Sequence, residues 1–119
     1  MKIPDEAKNL LEKDEVFLGT CSGRWPNVTV TESGVIIGPE EFLICDCMMT
    51  LAKDNIIKNP NCSFSVYNTK SQKGYKAFGK AKYYNKGKYL EIAKKRLSGE
   101  SFKAKGAIVI KIDKIFQIE

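Results

Sequence analysis

Near residue 42 a short apolar run, Phe42-Leu43-Ile44-Cys45, ends in Asp46-Cys47-Met48-Met49 and passes directly into Thr50-Leu51-Ala52-Lys53-Asp54-Asn55. A strand end that feeds a helix start concentrates backbone N–H groups with no intrahelical partner, and such groups attract anions. The Thr50 hydroxyl, the Lys53 ammonium and the Asn55 amide add three more donors, so the segment reads as a phosphate cradle. A plainer reading makes Thr50 a helix N-cap and Lys53 a solvated surface charge. Met48 and Met49 are either soft contacts to a flat ring or core filling. Cys47 is either a thiol poised beside a redox ring or a packing residue.

The composition removes many other chemistries. The 119 residues include no His, which excludes imidazole acid–base catalysis and His-ligated metal or haem sites built by this chain. Of four cysteines, at 21, 45, 47 and 62, three lie in apolar strand-like runs where cysteine serves as a small core hydrophobe. Only Cys45 and Cys47 are close in sequence, and their spacing is not the paired C-x-x-C of a zinc site. Twenty Lys+Arg against 14 Asp+Glu give a formal net charge of +6, and the length suggests one domain over residues 1–119. No apolar stretch approaches the ~20 residues of a membrane-spanning helix, and Met1-Lys2-Ile3-Pro4-Asp5-Glu6 lacks the apolar core of a signal peptide. The chain reads as cytosolic, with reduced thiols and no membrane partner.

Periodicity places the elements that hold these groups. Pro4-Asp5 opens a helix with Ala7, Leu10 and Leu11 on one face. Residues 15–21 and 28–31 form a hairpin around Ser22-Gly23, and Gly34-Val35-Ile36-Ile37-Gly38 continues or follows its second strand. A short helix runs from Thr50 to about Lys58, with Leu51, Ile56 and Ile57 inward, and ends at Asn59-Pro60. Cys62, Phe64 and Val66 alternate with polar residues. Tyr75, Ala77, Gly79, Ala81 and Tyr83 then share one strand face, opposite Lys76, Phe78, Lys80 and Lys82. Leu90, Ala93 and Leu97 mark a third helix, and Ile108, Ile110 and Ile112 the last strand. Six short strands with three short helices and no βαβ alternation predict a mainly β, antiparallel Greek-key barrel. No repeat, low-complexity tract or linker interrupts it.

Several ordered motifs together resemble the FMN-binding split barrels related to pyridoxamine 5′-phosphate oxidase. They are Gly23-Arg24-Trp25-Pro26-Asn27-Val28-Thr29, then Ile44-Cys45-Asp46, then Asn55-Ile56-Ile57-Lys58-Asn59-Pro60, and Gly74-Tyr75-Lys76-Ala77-Phe78-Gly79-Lys80-Ala81. The closing Ala107-Ile108-Val109-Ile110-Lys111-Ile112 resembles the last strand of the family's smallest members. The resemblance implies a six-stranded split barrel that is homodimeric, with FMN at the subunit interface. It places the phosphate near Thr50, Lys53 and Asn55, and the ring and ribityl chain along Thr29, Val30, Thr31 and the backbone of Asp46, Cys47, Met48 and Met49. It assigns partner-chain contacts to the segment around Phe102 and Lys105. Where many relatives carry a Lys-Thr or Arg-Lys pair ahead of the Asn, this chain has Leu51 and Ala52.

The implied activity is that of a small flavin oxidoreductase or electron-transfer protein, in which the flavin carries the redox chemistry. The donors near the site, Glu32, Asp46 and Cys47 among them, have no spacing that marks an acid–base pair. A deazaflavin offers the same phosphate and tricyclic ring. A different class is a single-stranded nucleic-acid binder using Lys76, Lys80 and Lys82 with Tyr75, Phe78, Tyr83 and Tyr84. A lysine row also protects a solvated or edge strand from aggregation, which makes nucleic acid the weaker expectation.

Overall fold

The computed structural model describes residues 2–118. Helix α1 (Asp5–Lys13) starts after Pro4, whose ring presets the entry, and carries Asp5 and Glu6 in its first turn and Lys13 in its last, charges that complement the helix dipole. Its apolar stripe buries Ala7 and Leu11 completely. It is followed by β1 (Val16–Thr20), β2 (Asn27–Thr31), β3 (Gly34–Gly38) and β4 (Glu41–Asp46). Then come α2 (Leu51–Lys58), β5 (Asn61–Asn68), β6 (Lys73–Tyr84), α3 (Lys88–Arg96) and β7 (Gly106–Gln117). No helix among the described residues is long and apolar enough to cross a membrane.

The described residues contain seven strands rather than six, in one antiparallel sheet of order β2-β1-β5-β6-β7-β4-β3. The seventh is β3. The sequence leaves Gly34–Gly38 as a stretch that continues or follows the strand of 28–31; Glu32 and Ser33 divide the two, and β2 and β3 lie on opposite edges of the sheet. Two residues span at most about 10 Å between flanking Cα atoms. The sheet therefore curls until its two edges face each other across a seam.

Inside the curl, Leu18, Phe42, Ile44, Phe64, Ile108 and Ile110 form the main core, closed at one end by Ile3 and Leu11 from the α1 side. A second cluster lies on the outside of β4 and β7, where Leu90, Ala93 and Leu97 of the α3 segment cover Leu43, Cys45, Ala107 and Val109. Among the described residues, no helix covers the rest of the outer surface. In α2 only Ala52 and Ile56 are buried; Leu51 and Ile57, expected inward, are exposed, because one turn of the helix faces the sheet and the flanking positions rotate away from it.

Candidate functional site

The seam holds a cavity of about 580 Å³. β2 contributes Thr29, Val30 and Thr31, and the link to β3 contributes Glu32 and Ser33. From the end of β4 come Cys45, Cys47, Met48 and Met49, and from the end of α3 and the loop after it Arg96, Leu97, Glu100 and Phe102. A smaller groove of about 180 Å³ adjoins it, sharing Thr29, Met48 and Met49 and adding Asn27, Val28, Thr50, Leu51 and Ala52 at the head of α2. β2 is an edge strand, paired only with β1. At the floor, the buried Thr31 and Ser33 hydroxyls lie 3.4 Å apart and the Ser33 carbonyl accepts from the Cys45 N–H at 3.2 Å.

The wall formed by residues 46–49 is fixed from several sides. The fully buried Asp46 carboxylate accepts the Met49 N–H at 2.7 Å and the Tyr83 hydroxyl at 2.6 Å. Tyr83 reaches it by lying over Gly106, Asp46's partner in the β4–β7 ladder, where a Cβ would run into the phenol. Lys105 adds two bonds, its N–H to the Asp46 carbonyl at 2.8 Å and its ammonium to the Met49 carbonyl at 2.8 Å. Burial, then the hydrogen bond to Asp46, holds the Tyr83 phenol above its usual range, so it stays a donor. Burial and the charge of Asp46 also push the Cys47 thiol up, the opposite of an activated thiolate.

Of the residues expected from the sequence, Thr29, Val30, Thr31, Cys47, Met48, Met49 and Phe102 line the seam cavity together. Thr50 lies at the groove, but its hydroxyl makes no capping bond; the Asp46 carboxylate engages the chain one residue earlier instead. Asp46 is itself turned inward as an anchor. Both ends of the Asn55 amide are taken, the nitrogen donating to the Thr20 hydroxyl at 3.1 Å and the oxygen accepting from Ser22 at 2.6 Å. The Lys53 ammonium sits over the Tyr83 ring, 5.1 Å from its centroid. Phe102 lines this cavity and Lys105 bonds its wall, because the loop after α3 folds back along the end of β4.

The sequence reading missed Ser33, Arg96, Leu97 and Glu100 as cavity residues. Arg96 is held by the Gly34 carbonyl at 3.3 Å and the Glu12 carbonyl at 3.4 Å. Arg96 is the last residue of α3 and Glu100 follows in the turn beyond it, and only the return of this segment to the seam brings them to the site.

This chain is 33% identical over 124 residues to the uncharacterized protein MJ0282 of Methanocaldococcus jannaschii, an alignment covering all of this chain and 83% of that protein. The chain belongs to one family with this archaeal protein. No protein-family model matches it. Among solved structures, HupZ of Group A Streptococcus superposes with a TM-score of 0.89 at 23% identity, over 98% of this chain and 94% of that one. An FMN-binding protein from Syntrophomonas wolfei gives 0.85 at 21%, over 97% and 85%. A putative pyridoxamine 5′-phosphate oxidase from Lactobacillus delbrueckii gives 0.80 at 20%, over 97% and 93%. The fold is thus the split barrel of the pyridoxamine 5′-phosphate oxidase-like and FMN-binding proteins.

Proposed function

We propose that the seam of this split barrel holds the ring of a flavin-type cofactor, with FMN the first ligand to test, and that the chain acts as a small oxidoreductase or electron-transfer protein. The observation that carries this reading is the cavity itself. A lining of Val30, Met48, Met49, Leu97 and Phe102 around a few buried hydroxyls is what a flat, mostly apolar ring with polar edges requires, and its volume lies in the usual range for small-molecule sites. A bound flavin would supply the electron transfer. The chain's own part is to exclude water with the Met and Phe side chains, and to offer the Thr31 and Ser33 hydroxyls and the free edge of β2 to the polar rim of the ring. Tyr83 and Lys105 are committed to the wall and are not proposed as proton donors.

The same reading includes a homodimer through the bare outer face. Two neighbouring rows cross that face: Val30, Phe17, Ser65, Lys76 and Phe116 in one, Val28, Gly19, Ser63, Phe78 and Lys114 in the other. Its five large apolar residues are each more than two-fifths exposed, and Phe78 and Phe116 pack edge to face at 5.8 Å. Such a patch marks an interaction surface, and a second copy offers the same flat, apolar rows. The nucleic-acid alternative loses support from the aromatic residues: Tyr75 and Tyr83 point away from the lysine face, into the curl.

Titrating the purified protein with FMN, followed by flavin fluorescence and visible absorption, tests the site. Saturable binding is expected, and Thr29→Trp, which fills the cavity from a half-buried position, is expected to abolish it. Absence of saturable binding in the unsubstituted protein would overturn the proposal.

A further inference from the structure

We infer that this site recognises its ligand by the ring and not by a phosphate, so that a neutral-tailed flavin such as riboflavin binds almost as well as FMN. The inference rests on the flavin reading above and refines which member of that ligand class the site selects. Its basis is the disposition of charge around the two adjoining cavities.

The groove at the head of α2, where a phosphate tail would lie, has no charged side chain in its lining. The first two residues of the helix are Leu51, 63% exposed, and the buried Ala52, so the positions that face an incoming anion carry hydrocarbon. The nearby donors each contact the chain itself. Lys53 is stacked on Tyr83, the Asn55 amide is bonded at both ends, and the Lys105 ammonium is bonded to the Met49 carbonyl. In the seam cavity one guanidinium, Arg96, is opposed by two carboxylates, Glu32 and Glu100. The buried carboxylate of Asp46 lies behind the wall. On a chain of formal charge +6, the linings of the two cavities therefore hold one cation against two carboxylates. Within the groove lining, a dianion meets the N–H end of α2 and the Thr50 hydroxyl. A helix end facing solvent is worth about two- to fivefold in affinity, far less than converging cations supply to a phosphate.

The test compares FMN and riboflavin by fluorescence titration at low and at physiological salt. A preference for FMN no greater than about fivefold, insensitive to salt, is expected. Any larger preference overturns this inference while leaving the flavin reading intact; failure of both ligands to bind overturns both. Leu51→Arg, an exchange at an exposed position, places a guanidinium at the groove and is expected to raise the FMN-to-riboflavin affinity ratio about tenfold or more. An unchanged ratio in that variant would show that the tail does not lie at the head of α2, and would overturn the inference as well.

Discussion

At the scale of single residues, the site depends on a carboxylate that never meets solvent. Asp46 is stable there because two donors converge on it, and one of them, the Tyr83 phenol, can approach only because residue 106 has no side chain. Removing one donor leaves a buried charge half satisfied. Tyr83→Phe is expected to cost about 1.5–3 kcal/mol in urea unfolding, the range for a hydrogen bond to a charged group. Gly106→Ala drives a methyl group into the same phenol and is expected to cost ~1–3 kcal/mol. Because both substitutions act on one contact, the double variant should lose clearly less than the two separate losses added together. Strict additivity would show that Tyr83 and Gly106 do not share this role.

At the scale of elements, α3 decides which part of the curled sheet is covered. It takes the outer face of β4 and β7 and leaves that of β2, β1, β5 and β6 open. The proposed pairing of two copies predicts that Phe17→Lys together with Val30→Lys, a directly opposed pair on β1 and β2, converts the protein from dimer to monomer in sedimentation without loss of circular-dichroism signal. A species that sediments as before would place the pairing elsewhere. The helices and most strands were legible in the sequence because each has one buried face, and a buried face writes a period of 3.6 or 2 into the chain. β3 was legible only as a stretch that continues or follows β2. Its residues have the same β-branched character as those of β2, and what separates the two is the closure of the sheet, a property of distant pairings. The cavity was half legible for a similar reason. Residues 29–31 and 47–49 stand at strand ends that a motif can mark, whereas Arg96 ends a helix whose pattern reports only its contact with the sheet, and Glu100 lies in the turn after it.

At the scale of the whole molecule, folding raises the proton affinity of several groups at once. Burial, with a smaller contribution from the charge of Asp113, pushes the Cys62 thiol from 9.0 up to about 12. Burial is also the leading cause for the raised thiols of Cys45 and Cys47 and the raised phenol of Tyr83, and the hydrogen bond to Glu6 is the leading cause for Tyr75. In every case the folded chain keeps a proton that the unfolded chain releases sooner. Stability from these groups is therefore complete at neutral pH and falls once the pH passes the unfolded-state value, near 9 for the thiols and 10 for the phenols. Urea unfolding under reducing conditions is expected to show little change in this contribution between pH 7 and 8.5, then a steep decline toward pH 10.5. Cys62 alone accounts for up to about 1.4 kcal/mol per pH unit in that range. Cys62→Ala, although less stable at neutral pH because it leaves a small cavity, should show a shallower alkaline decline than the parent. An equally steep decline in that variant would mean that the buried thiol is not the group whose ionisation opens the barrel.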